Sequence, residues 1–456
     1  MIGFADVFHD PVAAATGESA PLREYQKVLL SSGCGKLNHF LYTYDCKHKG
    51  ISERGEQGRT KNVLIRAPAR RSIIFGNCAF LGEAGDWKGG LHTLLFDRRV
   101  TVMAFDEQVA LVLSHNTPRY LATGVDPNDF QRIVSRLGGW DSWCRIWYDE
   151  AARHETLGEQ AGERGRTITA AECFLRASIY YHYAKHLFAH EANQYRDAHN
   201  AMLRCYQAAA PHLDPPVERI EIPFEDCTLP GNLRRPSNRD RAPVAIILPG
   251  LDACKEELHA WSEAFVRRGV ATLALDGPGQ GESAFKLPVR SEWGPVIGAV
   301  IDHLEQRPDV DGRSVGIVGQ SLGALYAPLA TAFEPRLRAC ISNCGPFDFG
   351  RVLPSMPAPS QETFRVRCHA KTHAEAQLTA NRLTLEGVAQ QIRCPLLVVF
   401  GAGDKLISSA EGERLARAAS GPSELVIFEE GNHVCFNISY KFRPLTADWM
   451  AEQLEP

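Results

Sequence analysis

Short apolar segments alternate with helical segments through the second half of the chain, and this alternation restricts the fold more than any other feature. Helical stretches such as 256–268 and 410–419 separate the apolar segments, which lie at 244–248, 271–275, 315–318, 337–341, 396–400 and 425–428. Gly, Pro or Asp lies near each segment, as is usual for strands that are buried on both faces. The pattern predicts an α/β fold with a doubly wound, mostly parallel sheet. An alternating polar and apolar run at 217–222 predicts an antiparallel edge strand.

The middle of the chain has a different pattern. Between about 127 and 210 strand signals are scarce, and long stretches lack helix breakers. A second interruption, at about 345–391, separates two of the predicted strands and contains several prolines. We therefore predict an N-terminal extension of unassigned fold over 1–94, a helical domain over 95–212, and an α/β domain over 213–456 with an insertion.

Charge and hydropathy exclude two classes of partner. The chain carries 50 Lys and Arg against 54 Asp and Glu, a formal net charge of −4, so no excess of basic residues favours nucleic acid or an anionic membrane surface. Its apolar runs are far shorter than the roughly 18–20 residues of a membrane-spanning helix. The start of the chain lacks the pattern of a signal peptide, and the 13 cysteines are scattered without a CxxC pair. We expect reduced thiols in a cytoplasmic protein.

The segment around Ser321 indicates chemistry. Gly319-x-Ser321-x-Gly323 lies between the apolar run 315–318 and a helical stretch of small and apolar residues. This is the context of a nucleophile elbow, in which a serine sits on a tight turn and the flanking glycines avoid clashes between strand and helix. A glycine-rich turn without chemistry is the alternative interpretation.

A serine hydroxyl needs a base and an orienting acid, which follow it in this order as acid and then histidine. Asp404 ends the run 396–400 and its glycine turn, and His433 follows the run 425–428. Both are predicted to lie at the carboxyl edge of the sheet, where open α/β folds bind ligands. The predicted catalytic residues are Ser321, Asp404 and His433, with Asp348 as an alternative acid.

Two backbone N–H groups are candidates for an oxyanion hole. One is that of Leu322, directly after the nucleophile, and the other is that of Leu251 in the loop after the first core strand.

Four segments together resemble the α/β-hydrolase superfamily. They are Pro249-Gly-Leu-Asp-Ala-Cys-Lys-Glu256, Asp276-Gly-Pro-Gly-Gln-Gly-Glu282, the Gly-Gln-Ser-Leu-Gly elbow and Gly431-Asn-His433. Within it they resemble the branch that contains 2,6-dihydroxypseudooxynicotine hydrolase and the fungal polyketide-shortening hydrolases of melanin synthesis. The segments 129–134, 140–143 and 176–188 are similar to the helical cap of that branch. The resemblance implies an α/β-hydrolase fold with an N-terminal helical cap, and hydrolysis without a cofactor, often of a carbon–carbon bond beside a ketone.

Aromatic residues of the predicted cap admit two interpretations. Trp140, Trp143 and Trp147 are spaced so that they share one helix face, which favours packing between cap and core. Alternatively, they line a pocket for an aromatic substrate together with Tyr148. Trp143, Trp147, Tyr148 and Asp348 are therefore our candidate substrate contacts.

Histidine and cysteine clusters are weak candidates for metal sites, and we predict no metal. They are His182, His186 and His190, spaced by four, and a looser group of Cys34, His39, Cys46 and His48.

The sequence thus predicts a serine hydrolase that forms an acyl-enzyme on a small, aromatic ketone and uses no cofactor. A carboxylesterase is the alternative within the same chemistry, and a non-catalytic ligand-binding protein on the same fold is the alternative outside it. The expected partner is a small-molecule substrate, without nucleic acid or membrane; a homodimer is left open.

Overall fold

A computed structural model describes residues 72–73 and 104–455. The predicted extension 1–94, apart from residues 72 and 73, lies outside the described residues, as do Cys34, His39, Cys46 and His48. The described residues belong to one compact unit, in which helices and sheet pack together. The predicted division at residue 212 therefore remains a prediction.

The first part of the described chain is helical. A two-residue antiparallel pair, β1 (Ser72–Ile73) with β2 (Ala104–Phe105), precedes α1 (Glu107–Ala122), α2 (Pro127–Arg136), α3 (Trp143–Glu163), α4 (Thr167–Lys185) and α5 (Ala192–Ala209). The aspartates before α1 and α2 cap them, since the Asp106 carboxylate accepts a hydrogen bond from Val109 N–H at 2.7 Å and Asp126 precedes a proline at the first helical position. We call α1–α5 the helical region.

A sheet of eight strands follows the helical region. Its strands are β3 (Val217–Phe224), β4 (Cys227–Arg234), β5 (Ala242–Leu248), β6 (Ala271–Leu275), β7 (Val310–Gln320), β8 (Leu337–Asn343), β9 (Leu396–Gly401) and β10 (Ser423–Phe428). Their order is β10-β9-β8-β7-β5-β6-β4-β3, parallel except that β4 pairs antiparallel with β3 and with β6. The predicted mostly parallel sheet is confirmed, and β3 is the expected antiparallel edge strand.

Helices cover the sheet and fill the connections. They are α6 (His259–Val266), α7 (Gly294–Glu305), α8 (Gly323–Phe333), α9 (Phe349–Val352), α10 (Ala358–Arg367), α11 (His373–Ala380), α12 (Ser409–Ala418) and α13 (Ser439–Leu454). Every residue of β5, β6 and β9 is buried, which explains their continuous apolar sequences. The predicted insertion contains α9, α10 and α11, between β8 and β9.

The helical region has a core of its own, rich in aromatic side chains. Trp147 is fully buried there, and its ring centroid lies 5.4 Å from that of Tyr120 and 5.6 Å from that of Tyr183. Cys254, from the loop after β5, joins the same cluster, so the helical region packs directly on that loop. Among the helices that the structure describes, none has both the length and the apolar content needed to span a bilayer.

Candidate active site

Ser321 stands on the sharp turn between β7 and α8. Its φ of 54° lies in the left-handed region, which a residue with a side chain rarely adopts. A Cβ on Gly319 would lie 2.0 Å from the Gly323 carbonyl oxygen, and one on Gly323 would lie 2.4 Å from the Pro249 carbonyl oxygen. Strand, turn and helix can therefore approach this closely only because both flanking residues are glycines.

We expect Gly319→Ala to lower the free energy of unfolding by about 3 kcal/mol, because the added methyl group overlaps backbone atoms that cannot move aside independently. Thermal or urea unfolding measures the effect. Gly162→Ala is the matched control, since Gly162 lies in the exposed last turn of α3 and no atom beyond its own helix backbone lies within 4 Å of the added Cβ. That control should be neutral or stabilising by up to about 1 kcal/mol. Equal stability of both variants would contradict this account of the turn.

The loops after β9 and β10 carry Asp404 and His433 and touch each other. The Gly403 N–H donates to the Gly431 carbonyl at 2.9 Å, and a Cβ on Gly401 would lie 2.4 Å from the Gly431 carbonyl carbon. Glycines on both loops thus allow the backbones to approach each other. The contact brings the two side chains to the carboxyl edge of the sheet beside Ser321.

The three predicted side chains form one hydrogen-bonded series. His433 Nε2 lies 2.9 Å from Ser321 Oγ, and His433 Nδ1 lies 2.7 Å from Asp404 Oδ2. The other carboxylate oxygen of Asp404 accepts the N–H groups of Leu406 and Ile407 at 2.8 and 3.0 Å. Burial by itself would raise the pKa of Asp404, but His433 and these N–H donors hold it below its ordinary value. The carboxylate is therefore ionised and fixed in orientation.

Both candidate oxyanion donors lie next to the turn. Leu251 lines the cavity at Ser321, and a Cβ on the preceding Gly250 would lie 3.1 Å from Ser321 Cβ. Leu322 is the residue before α8. Within the described part of the chain, neither the Leu251 N–H nor the Leu322 N–H has a hydrogen-bond acceptor. Both donors are therefore free for an oxygen bound at Ser321.

A cavity of about 230 Å³ opens beside Ser321 and His433. One wall comes from α1, which contributes His115 and Arg119, and another comes from the insertion through Met356. Burial lowers the pKa of His115, and the charge of Lys405, which also lines the cavity, lowers it further. The helix α1 lies within the predicted helical domain 95–212, but its contribution to the cavity was not predicted. Its side chains reach the cavity only through packing against the segment that carries His433.

The four candidate substrate contacts do not line this cavity, which corrects our prediction. Trp143 and Trp147 are fully buried in the core of the helical region, and Tyr148 packs edge-on against Tyr181 at 4.7 Å. The Asp348 carboxylate accepts the Arg351 N–H and caps α9. Aromatic side chains spaced one helical turn apart pack here against rings of neighbouring helices, and this burial needs no ligand.

The predicted histidine cluster and the acid–histidine pair beside Cys344 are engaged by other groups. Asp404 and His433 lie within 4.8 Å of Cys344, but they hydrogen-bond to each other. The helix α4 ends at Lys185, so His182, His186 and His190 do not share a helix face. The rings of His182 and His186 lie instead 3.1 and 2.9 Å from carboxylates of the loop after β5.

Comparison with known proteins places the chain in a family. The family model described as "Esterase FrsA-like" matches residues 124–355, which include the helical region from α2 onward and the sheet through β8. The chain belongs to the FrsA-like esterase family. The match contains Ser321 but ends before Asp404 and His433, so it does not cover the complete hydrogen-bonded series.

Curated relatives of this FrsA-like protein are hydrolases. The 2,6-dihydropseudooxynicotine hydrolase of Paenarthrobacter nicotinovorans is 31% identical over 314 residues, which are 69% of this chain and 85% of the relative. The 20-hydroxy-prefusarin hydrolase FUS2 of Gibberella moniliformis is 34% identical over 236 residues, 48% of this chain and 56% of the relative. The chain thus spans only about half the length of this fungal relative.

Solved structures agree with the assignment of this FrsA-like protein. The crystal structure of 2,6-dihydroxy-pseudo-oxynicotine hydrolase matches with a TM-score of 0.69 and 28% identity, over 74% of this chain and 96% of that one. AbyA5, at 18% identity and a TM-score of 0.59 over 76% of this chain and 99% of that one, shares the fold. This FrsA-like protein is an α/β-hydrolase enzyme, as the sequence predicted.

Proposed function

We propose that this enzyme is a serine hydrolase that cleaves a small aromatic ketone through an acyl-enzyme. The observation that carries the proposal is the series Ser321–His433–Asp404, with distances of 2.9 and 2.7 Å. A histidine within hydrogen-bond reach of a serine, itself oriented by a buried carboxylate, is the arrangement that makes a serine nucleophilic at neutral pH.

The first step forms a tetrahedral intermediate that is covalently bound to Ser321. The Ser321 oxygen attacks the substrate carbonyl carbon while His433 Nε2 accepts the hydroxyl proton. The carbonyl oxygen becomes an oxyanion, which the N–H groups of Leu251 and Leu322 stabilise. Asp404 holds the imidazole in the productive tautomer and stabilises the imidazolium.

The second step breaks the bond to the leaving group. In a 1,3-diketone or an acyl-phenol the oxyanion collapses to the acyl-enzyme ester as the carbon–carbon bond breaks. The electron pair of that bond stays on the departing part as an enolate or a phenolate-stabilised carbanion, which takes the proton from His433. Water then loses a proton to His433 and attacks the acyl-enzyme, and the carboxylic acid leaves as Ser321 regains its proton. The products are a carboxylic acid and a second ketone or phenol, and no oxidant or metal is required for this balance.

The cavity and the relatives support the substrate class. A cavity of about 230 Å³ suits a small molecule, and apolar side chains such as Leu111, Met356 and Phe436 line it beside the polar His115 and Lys405. An ammonium group in the wall favours a leaving group that departs as an enolate or phenolate anion. The relatives from Paenarthrobacter and Gibberella are named as hydrolases of 2,6-dihydropseudooxynicotine and of 20-hydroxy-prefusarin.

Ester hydrolysis is the second candidate, because the matching family model is described as an esterase and the same three residues serve both reactions. A panel that pairs aryl esters with acyl-phenols and aryl 1,3-diketones tests the choice, with the acid and ketone products identified by mass spectrometry. We expect turnover of a ketone with kcat/KM at least equal to that of the best ester. Turnover of esters alone would establish the esterase, and tight binding of both classes without turnover would establish a binding protein.

A further inference from the structure

The loop between β5 and α6 carries one candidate oxyanion donor and has no regular secondary structure of its own. It spans residues 249–258, and two of its acidic side chains, Asp252 and Glu257, reach the same partner. Arg119 Nη1 donates to Asp252 Oδ1 at 2.9 Å, while its Nε and Nη2 donate to the two oxygens of Glu257 at 2.5 and 2.6 Å. A single guanidinium from α1 thus binds both halves of the loop.

This ion cluster is buried and remains charged. Arg119 is 7% exposed and Glu257 is 3% exposed. Burial by itself would raise the pKa values of Asp252 and Glu257, but Arg119 holds both well below the ordinary range of a carboxyl group. Burial lowers the pKa of His182, beside Glu257, to about 3, so this ring is neutral at physiological pH. Two carboxylates therefore share one guanidinium from the helical region.

Further groups complete the surroundings of the cluster. The ring of His186 lies 2.9 Å from Asp252 Oδ2, and the hydroxyl group of Tyr183 donates to Glu257 Oε1 at 3.2 Å. Burial lowers the pKa of Arg443 to about 10, and the negative charge of Glu257 opposes this shift. Arg119 is nevertheless the group that joins Asp252 to Glu257.

We propose that Arg119 is a positioning residue that holds the Leu251 N–H toward the oxyanion. Leu251 precedes Asp252 directly, so the ion pair with Arg119 restricts the backbone immediately after the residue that carries this donor. The planar guanidinium makes a two-point contact with Glu257 that a single ammonium group cannot reproduce. Donors that are fixed before the reaction stabilise the transition state without reorganisation.

The inference rests on the proposed function, because the oxyanion that the Leu251 N–H stabilises forms when Ser321 attacks a substrate carbonyl. Arg119→Lys is the main test because it keeps the charge and removes the two-point contact; Arg119→Met removes both. Arg367→Lys is the matched control. Arg367 is 5% exposed, joins the core to Tyr195 of the helical region, and contacts neither the loop at 249–258 nor the cavity.

Two measurements separate positioning from a merely structural role. Steady-state kinetics on the best panel substrate gives kcat and KM, and an aryl trifluoromethyl ketone reports the oxyanion site. The Ser321 oxygen adds to the carbonyl carbon of this inhibitor, its proton passes to His433, and the resulting alkoxide faces Leu251 and Leu322. We expect Arg119→Lys to lower kcat and the inhibitor affinity about 10- to 100-fold, with KM changed by less than about threefold.

Each result below either supports or contradicts a positioning role for Arg119. Arg367→Lys should leave kcat and inhibitor affinity within about twofold of the wild type. If Arg119→Lys folds, as judged by its thermal transition, and changes only KM, Arg119 is a substrate contact and the inference is wrong. Unchanged kcat in both Arg119 variants also contradicts it. A wild-type enzyme without turnover or inhibitor binding contradicts the proposed function instead, and the inference falls with it.

Discussion

Ser321→Ala is expected to lower kcat by about 10⁴- to 10⁶-fold, because the variant lacks the atom that forms the acyl-enzyme. The Ser321 hydroxyl lies 2.9 Å from His433 Nε2 and lines the cavity, so the change removes the nucleophile and leaves the substrate site in place. A fluorophosphonate probe supplies a direct readout: intact-mass spectrometry should detect one adduct on the wild type and none on the variant.

Ser342→Ala is a matched control for this experiment. Ser342 lies on the neighbouring strand β8, is fully buried, and donates to the Ala324 carbonyl at 2.8 Å. Its loss should cost about 1 kcal/mol of stability and leave the adduct unchanged. An adduct that persists in Ser321→Ala would show that another residue is the nucleophile and would end the proposed mechanism.

Asp404→Asn is expected to lower kcat by about 10⁴-fold while the protein stays folded. The amide retains an oxygen for the N–H groups of Leu406 and Ile407, so the loop keeps its hydrogen bonds. Its NH₂ group, however, faces His433 Nδ1 as a donor. The imidazole then presents the wrong tautomer to Ser321 and cannot accept the hydroxyl proton.

The same measurement on Asp348→Asn decides between the two acids that the sequence left open. Asp348 caps α9, and asparagine caps helices about as well as aspartate. The thermal unfolding transition should therefore stay unchanged, and kcat should remain within about twofold of the wild type. Parallel steady-state assays and thermal unfolding of both variants provide the comparison. A large loss of kcat in Asp348→Asn with an active Asp404→Asn would reverse the assignment.

Local patterns were sufficient to predict most of the sheet and the turn at Ser321. The central strands are apolar throughout because helices bury both faces, so β5, β6 and β9 stand out in the sequence. The strand β4 was missed because Pro230 and Gly231, which normally interrupt strands, lie within it. It forms nonetheless, because it pairs along its whole length with β3 and, from Gly231 to Arg234, also with β6.

Long-range packing decided the walls of the cavity. The aromatic residues at 143, 147 and 148 have the composition of a ligand site, yet neighbouring helices bury them away from the cavity. In contrast, no sequence motif lies near His115 or Arg119, so nothing in the sequence marks them as lining a site. They matter because α1 packs against the loop that carries His433.

The sequence alone determined the fold class. It also predicted Ser321, Asp404 and His433 in this order, with Asp348 left open as the acid, because strand burial and turn geometry leave local signatures. Only the tertiary structure decided that the His433 ring lies 2.9 Å from the Ser321 hydroxyl and 2.7 Å from the Asp404 carboxylate. It also decided that one arginine of α1 binds two carboxylates of the loop beside them. Distances between residues far apart in the chain depend on how helices and loops pack, and no local pattern records them.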